Sequence, residues 1–283
     1  MNPVLLDLNQ LNSMTKVINT STVKKKIKGF GPVYWINLDT DVERKEKTEE
    51  LFSYYDISNI RISGYDGRKN DLSVYLEGGI PHSMNAGEVG CTLSHLKALR
   101  YFLEETDEDV AIICEDDIVF DTVEFWPFNW KLFKESLPYD WDCLQLSITS
   151  TGNLVANLHP RILTNFCTVC NVFTRRYAEK LASLHFRGDK YKIDNGVKPR
   201  AVADEILFNA GKTYSMPLFV YRYDFHSNIH QDHIEVFHKQ NVENIMKFWR
   251  ENGSQVPIQS LLDYDYYDHY MKPVTKPSME QVS

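Results

Sequence analysis

Three consecutive carboxylates, Glu115-Asp116-Asp117, form the stretch of the sequence best suited to chemistry. They follow the apolar run 111–114, and an apolar run bounded by charge predicts a buried strand of an α/β sheet. Acidic residues at the carboxyl end of such a strand lie where open sheets bind ligands. Adjacent carboxylates repel one another, and a divalent cation that prefers oxygen ligands, Mg²⁺ or Mn²⁺, would reverse that repulsion. The alternative interpretation is a solvated acidic turn that caps the next helix.

The strand that precedes these carboxylates must pair with other strands to form a sheet, and the first part of the chain contains two candidates. Residues 33–38 predict a buried strand and 57–62 a second one, with a helix between them that begins after Asp39-Thr40-Asp41. A strand, a helix and a strand within about 30 residues predict a βαβ unit and therefore a parallel sheet. A further helix opens at Gly87-Glu88-Val89-Gly90 and leads into the central strand.

The second half of the chain continues the same alternation of strands and helices. Further strands are predicted over 141–146, 162–173 and 214–221, and further helices after Pro127 and over 176–185, 202–209 and 235–250. We therefore expect an N-terminal extension over 1–30, one α/β domain over 31–232, and a C-terminal helix and tail over 233–283 packed on that domain. The sheet should be mostly parallel, with helices on its faces.

Composition narrows the classes of protein to which the chain can belong. Its 283 residues are 43% hydrophobic and 25% charged, which is typical of a globular protein with a full core. The net charge of −8 argues against nucleic acid as the main partner. No apolar stretch has the length of a membrane span, and the first residues lack a secretory signal pattern. The basic cluster 24–28 is interpreted as a solvated linker rather than a membrane-binding patch.

The five cysteines are an odd number, and most of them fall in apolar or helical patterns. Reduced, buried thiols of this kind are typical of a cytosolic protein, so we expect a cytoplasmic location, with peripheral attachment to a membrane as the alternative. Cys167 and Cys170 have zinc-ligand spacing, but without a second such pair their alternation with apolar residues favours strand packing.

Four motifs in a fixed order carry a resemblance to a known family. They are Ile36-Asn37-Leu38-Asp39 with Arg44 downstream, Tyr65-Asp66-Gly67, Gly87-Glu88-Val89-Gly90-Cys91-Thr92-Leu93-Ser94-His95, and Glu115-Asp116-Asp117. In this order they resemble glycosyltransferase family 25, which contains bacterial lipooligosaccharide galactosyltransferases and the collagen galactosyltransferase domains. The resemblance covers about residues 31–230.

The resemblance implies a GT-A fold, which is a Rossmann-like α/β architecture. It also implies a nucleotide-sugar donor, UDP-galactose or UDP-glucose, a divalent metal, and transfer of the hexose with inversion to a glycan or a glycosylated protein. Departure of the nucleotide leaves two negative charges on the diphosphate, and Mn²⁺ or Mg²⁺ bridging its oxygens would stabilise them. The resemblance gives no expectation for the oligomeric state.

By the same resemblance, the three carboxylates correspond to the acidic metal-binding element of GT-A enzymes. Asp117 would bind the metal directly, whereas Glu115 and Asp116 would contact the ribose or a metal-bound water. We therefore count Glu115 with the metal site and Asp116 with the donor site. A late histidine supplies a further ligand in many GT-A enzymes, and His226 or His230 would take that place. A structural histidine is the alternative for both.

The donor would be bound by residues of the remaining motifs. Those expected to contact it are Asn37, Leu38, Asp39, Arg44, Asp66, Gly67, Gly87, Glu88, Ser94 and His95. Arg44 could hold the diphosphate through a forked hydrogen bond, and glycines at a helix start allow backbone N–H groups to approach an anion. The alternatives are ordinary ones: a surface ion pair for Arg44, a simple turn at Asp66-Gly67, and a core position for His95.

An inverting transfer also needs a general base for the acceptor hydroxyl. By the resemblance, Asp204 in the predicted helix 202–209 is the first candidate, Glu205 is the second, and Asp142 is a further one. The alternative is a helix with an acidic exposed face.

Two other functions compete with hexosyl transfer. A catalytically silent family member could act as a sugar-binding or scaffolding module, although the intact Glu115-Asp116-Asp117 argues against it. A nucleotidyltransferase also uses paired carboxylates and a metal, but it needs a glycine-rich basic loop after the first strand, where this chain has the acidic turn Asp39-Thr40-Asp41.

Overall fold

The computed structural model describes residues 20–150, 154–193, 202–222 and 238–264. The strands are β1 Val33–Asn37, β2 Asn59–Ser63, β3 Val110–Glu115, β4 Ile118–Val119, β5 Cys143–Gln145, β6 Thr149–Ser150, β7 His159–Pro160, β8 Asn165–Phe166, β9 Cys170–Thr174, β10 Phe186–Arg187, β11 Lys190–Tyr191, β12 Thr213–Ser215 and β13 Val220–Tyr221. The α-helices are α1 Thr20–Lys26, α2 Val42–Tyr54, α3 Ala86–Glu105, α4 Trp130–Glu135, α5 Arg175–His185, α6 Ala203–Phe208, α7 Lys239–Phe248 and α8 Ile258–Leu262.

A seven-stranded sheet in the order β2-β1-β3-β9-β5-β12-β7 organises the domain. β1 is parallel to both β2 and β3, and β5 is parallel to β12. β9 runs antiparallel to β3 and β5, and β7 runs antiparallel to β12, so five of the seven strands point the same way. Short two-stranded ladders, β4 with β13, β6 with β8 and β10 with β11, lie outside this sheet. The predicted α/β Rossmann-like class is confirmed.

Both faces of the sheet are covered, as the apolar run in β1 predicts. Val33 and Trp35 belong to one core cluster, whereas Tyr34 and Ile36 belong to the other. Successive side chains of a strand point to opposite faces, so a strand that is apolar at every position must be buried on both. The first cluster packs against α2 through Leu51 and Phe52, and the second against α3 and α5.

The long helix α3 begins with a capping box. The Asn85 side chain accepts a hydrogen bond from the Glu88 N–H (2.8 Å), and the Glu88 carboxylate accepts one from the Asn85 N–H (2.9 Å). This arrangement satisfies two of the N–H groups that a helix start leaves without partners, and the buried stripe from Val89 to Phe102 then holds the helix on the sheet.

Two predicted strands differ from the structure. The strand expected over 162–173 is split into β8 and β9, because the backbone at Cys167 has a φ of 108° and interrupts the extended run. The strand expected over 214–221 is two strands, β12 and β13, which belong to different sheets. The helix expected after Pro127 is confirmed as α4, and a short 3₁₀ turn at Val123–Phe125 precedes it.

The C-terminal helices are present and contact the sheet domain. Asn241 of α7 exchanges two hydrogen bonds with the backbone of Ser150, each of 3.0 Å. The Trp249 indole, in the π-helical turn Trp249–Gly253, donates to the carbonyl of Pro217 (2.6 Å) and is fully buried. Among the helices of the described ranges, none combines the length and the apolar character that crossing a membrane requires.

Candidate active site

The carboxyl ends of three neighbouring strands meet at one edge of the sheet. In the register of β1 with its neighbours, Ile36 lies beside Glu115, and Asn37 lies beside Ser63. Because β1, β2 and β3 are parallel, the turns that follow them open on the same side. The sequence motifs that follow these strands are therefore brought together, and the three carboxylates lie between the first turn and strand β9.

Asp116 is held by groups of the chain itself. Its carboxylate accepts a hydrogen bond from the Asn37 amide (2.7 Å) and forms an ion pair with Arg44, and its backbone carbonyl accepts one from the Thr48 hydroxyl (2.8 Å). Burial raises the pKa of Asp116, although Arg44 opposes that shift. Asp116 thus fixes the turn after β1 and the start of α2 against the end of β3.

Asp117 has a different environment. Its Oδ1 atom is buried and has no hydrogen-bond partner among the described residues, while Oδ2 lies 3.7 Å from the Arg44 guanidinium. Burial, with Glu115 and Asp116 nearby, raises the pKa of Asp117 to about 8. Buried polar atoms are rarely left without a partner, and a divalent cation is one partner that a carboxylate oxygen can take. The residues present therefore fit a divalent metal.

Glu115 is anchored from the other side. One carboxylate oxygen lies 3.1 Å from His95 Nε2 and accepts a hydrogen bond of 2.5 Å from the Thr168 hydroxyl. Burial alone would raise the pKa of Glu115, but the bonds from His95 and Thr168 lower it below its ordinary value. Glu115 is therefore ionised over the physiological range, whereas Asp117 holds its proton more tightly.

The turn after β2 packs against the start of α3. The Ser94 hydroxyl donates to the Gly90 carbonyl (2.6 Å) and accepts from the Tyr65 N–H (2.8 Å). A Cβ at Gly90 would lie 2.5 Å from the Tyr65 carbonyl oxygen, and one at Gly67 would lie 1.9 Å from the Ala86 carbonyl oxygen. Both glycines are thus required for this close approach.

The sequence was compared with known protein families and with known proteins. Residues 30–151 match the model of glycosyltransferase family 25 (LPS biosynthesis protein). This matched stretch, the family 25 segment, spans less than half of the chain. A Drosophila melanogaster protein described as a glycosyltransferase 25 family member is 32% identical over 100 residues, which cover 31% of this chain and 16% of that protein. The present chain thus corresponds to a small part of this relative.

The family 25 segment contains the first βαβ unit, helix α3 and all three carboxylates, but not the predicted base. Asp204 lies at the start of α6, where its Oδ1 accepts a hydrogen bond from the Cys167 N–H (2.7 Å). Burial raises the pKa of Asp204, and Glu115 is close enough to raise it further. Glu205, its neighbour, instead accepts a hydrogen bond from Asn209 on the same helix (2.6 Å).

Asp142 lies away from this edge. It precedes β5, whose amino end faces the opposite side of the sheet, and it forms an ion pair with Arg176 (2.6 Å) and accepts from the Lys212 N–H (2.9 Å). Because β5 points the same way as β3, its start cannot lie near Glu115. The structure removes Asp142 from the candidate bases. His226 and His230 lie outside the described residues.

Two further basic residues, which the sequence motifs do not include, lie at the edge of the sheet where the donor is predicted to bind. Arg61 of β2 donates to the Asn37 side chain (2.9 Å) and to Asp39 (2.6 Å), and Lys97 of α3 donates to the Ser63 carbonyl (2.7 Å). The hydrogen bond from Arg61 lowers the pKa of Asp39. Arg61 itself is the signal in the sequence, because it is a basic residue between Ile60 and Ile62 in a predicted strand.

The other predicted donor residues lie around the same edge. Leu38 follows β1, and its side chain would be 3.2 Å from a Cβ at Gly64. Asp66 accepts hydrogen bonds from both the N–H and the guanidinium of Arg68, each 3.1 Å, which lower its pKa against the effect of burial. Gly87 lies in the first turn of α3.

A second group of side chains, also within residues 30–151, could hold a metal. The ligand atoms of Cys91, His95 and Glu115 all lie within 4.8 Å of one another. A thiolate with an imidazole favours zinc over Mn²⁺ or Mg²⁺. A metal-bound histidine normally donates its other ring N–H, yet Nδ1 of His95 is buried without a partner among the described residues. This mixed set of ligands is therefore a poor match for a hard cation such as Mn²⁺ or Mg²⁺.

Proposed function

We propose that this protein is a metal-dependent glycosyltransferase of GT-A architecture, which transfers galactose or glucose from a UDP-sugar to a glycan or glycoprotein acceptor with inversion. The observation that carries the proposal is Oδ1 of Asp117, in the family 25 segment, which is buried without a hydrogen-bond partner among the described residues. We also propose that residues 31–232 form the catalytic unit, and that the protein acts in the cytoplasm.

Asp117 would hold Mn²⁺ or Mg²⁺ together with Glu115, and His226 is a further candidate ligand. The metal would supply positive charge next to the diphosphate as the sugar departs. Arg44, within ion-pair distance of Asp116 and Asp117, provides a fixed cation at the same place. Burial alone would lower the pKa of Arg44, but the neighbouring Asp117 and Asp116 raise it, so the guanidinium keeps its charge. Asn37, Asp39 and Arg61 form a linked set of polar groups for the nucleoside end of the donor.

Asp204 would act as the general base. Its Oδ1 is occupied by the Cys167 N–H, so Oδ2 is the oxygen that would take the proton of the acceptor hydroxyl. Because burial raises its pKa, the carboxylate is a stronger base than an exposed aspartate, and general-base efficiency rises as the pKa approaches the working pH.

Binding of donor and metal can be tested by thermal denaturation with UDP, GDP, CMP or ADP, each with and without Mn²⁺. A ligand that binds only the folded state raises the melting temperature by mass action. We expect a shift with UDP that requires Mn²⁺, followed by release of UDP from UDP-galactose or UDP-glucose when acceptor is present. A protein that shifts with none of the nucleotides would be a binding module, and pyrophosphate release from a nucleoside triphosphate would indicate a nucleotidyltransferase.

A further inference from the structure

The turn at residues 167–169, between β8 and β9, has an unusual backbone. Cys167 has a φ of 108°, in the left-handed region that favours glycine, and within the described ranges Asp56 is its sole counterpart among non-glycine residues. Asp56 follows the end of α2, where left-handed residues are common, whereas Cys167 interrupts what would otherwise be a strand. Strained backbone of this kind persists only when its surroundings hold it in place, and it concentrates at functional sites.

Several contacts fix this turn. The Gln145 amide donates to the Cys167 carbonyl (3.0 Å), and the Gln145 side chain is itself held by the Ser215 hydroxyl (2.9 Å). On the other side, the Val169 carbonyl accepts from the Glu115 N–H (2.8 Å). The turn is thus tied to three neighbouring strands, β3, β5 and β12.

The same turn contacts two proposed functional carboxylates. The Cys167 N–H donates to Asp204 Oδ1 (2.7 Å), and the Thr168 hydroxyl donates to Glu115 Oε1 (2.5 Å). The left-handed conformation at Cys167 changes the direction of the chain between two successive donor groups. As a result, one dipeptide holds a carboxylate from α6 and a carboxylate from β3.

We propose that residues 167–169 are a positioning element that sets the general base Asp204 relative to Glu115 at the metal site. The inference rests on the proposed function. Each carboxylate has one oxygen held by the turn, and its other oxygen is thereby directed for acceptor or metal. Thr168 and the Cys167 amide do not contact the reacting atoms in this arrangement; they act through Asp204 and Glu115.

The test compares Thr168→Val with Thr168→Ser and with a matched control, Thr213→Val. Thr168 and Thr213 are both 7% exposed, and each donates a side-chain hydrogen bond, but Thr213 donates to the Phe208 carbonyl at the other edge of the sheet. We expect kcat for hexosyl transfer to fall about 10- to 100-fold in Thr168→Val, with the KM for the UDP-sugar within about twofold of wild type. Thr168→Ser should recover most of kcat, and Thr213→Val should retain it.

A second variant separates the amide of Cys167 from its thiol. Glycine accepts the left-handed backbone and keeps the N–H, so Cys167→Gly should retain kcat within about threefold. Wild-type kcat in Thr168→Val, or a loss in Thr213→Val as large as in Thr168→Val, would overturn the positioning role. A folded wild-type protein that transfers no sugar in the same assay would instead overturn the proposed function.

Discussion

Asp116 and Asp117 are adjacent residues of the same type, yet their side chains have opposite surroundings. Both oxygens of Asp116 are bound by Asn37 and Arg44, whereas Asp117 keeps one buried oxygen without a partner in the described part of the chain. Because of this difference, Asp117 makes the stability of the fold depend on pH. A carboxyl whose pKa is raised in the folded state favours unfolding as the pH rises, since the unfolded chain loses the proton first.

Replacement of Asp117 by asparagine should therefore separate function from stability. The unfolded carboxyl ionises near pH 4 and the folded one near pH 8, so the stability of the metal-free protein should fall between these values and be lowest above pH 8. Asp117→Asn removes that loss and should melt above wild type at pH 9 in EDTA, while it abolishes the Mn²⁺-dependent shift with UDP. The exposed Asp107→Asn is the control, and a normal Mn²⁺ response in Asp117→Asn would refute the metal assignment.

Variants of the neighbouring residues Asp204 and Glu205 provide a matched test of the general base. Asp204→Asn keeps the size of the side chain and the acceptor for the Cys167 N–H but removes the basic oxygen. We expect turnover to fall at least about 100-fold, while binding of UDP with Mn²⁺ stays unchanged. Glu205→Gln should leave turnover near wild type, because that carboxylate bonds to Asn209 on its own helix. The reverse result, with Glu205 essential and Asp204 dispensable, would exchange their roles.

At the scale of elements, the contact between α3 and the turn after β2 fixes the edge of the sheet where the donor is predicted to bind. Ser94 and Gly90 bring the helix backbone against Tyr65, and Lys97 reaches the end of β2 from the same helix. The separation between helix and turn is thus fixed by backbone atoms on both sides, which cannot move aside as a flexible side chain can.

Gly90→Ala tests this contact through two opposing effects. Alanine is the better helix former by about 1 kcal/mol, but its Cβ would lie 2.5 Å from the Tyr65 carbonyl oxygen. We expect the clash to dominate, with a net loss of about 1–3 kcal/mol in the free energy of unfolding and weaker binding of UDP. Denaturant unfolding measures the free energy of unfolding. A variant more stable than wild type would show that the turn can move away from the added methyl group.

At the scale of the molecule, the C-terminal helices share the core of the sheet domain. Trp249 belongs to the same buried cluster as Val33 and Trp35 of β1, and its ring lies edge-on to Phe128, with centroids 6.2 Å apart. A residue this far along the chain therefore contributes to the packing that supports the first strand. The N-terminal boundary at 1–30 stays a prediction, as does the C-terminal boundary at 233.

Trp249→Ala should consequently destabilise the whole domain. The expected cost is about 3–5 kcal/mol, since a large fully buried ring and its bond to the Pro217 carbonyl are both lost. Trp249→Phe should lose less, because most of the apolar contact is retained. Unfolding should remain a single transition by fluorescence and circular dichroism. Two separated transitions in wild type would mean that the C-terminal helices form a unit of their own.

The sequence determined the beginning of the fold and predicted the location of the site. Apolar runs over 33–38 and 57–62, with a helical pattern between them, suffice for a parallel βαβ unit, because strand and helix periodicities are local properties. Acidic residues after a buried strand then predict the ligand-binding edge, and the four motifs carry the resemblance to the family whose model matches residues 30–151. The cap at the start of α3 follows equally from a few adjacent residues.

Only the tertiary structure decided which of these side chains form hydrogen bonds or ion pairs with distant parts of the chain. Asp116 meets Arg44 across 72 residues of chain, and Thr168 meets Glu115 across 53. Contacts of this kind depend on strand order and on the antiparallel insertion of β9, neither of which is encoded in local periodicity. For the same reason, the sequence could not distinguish the bound carboxylate of Asp116 from the orphaned one of Asp117, or show that a strained cysteine holds Asp204.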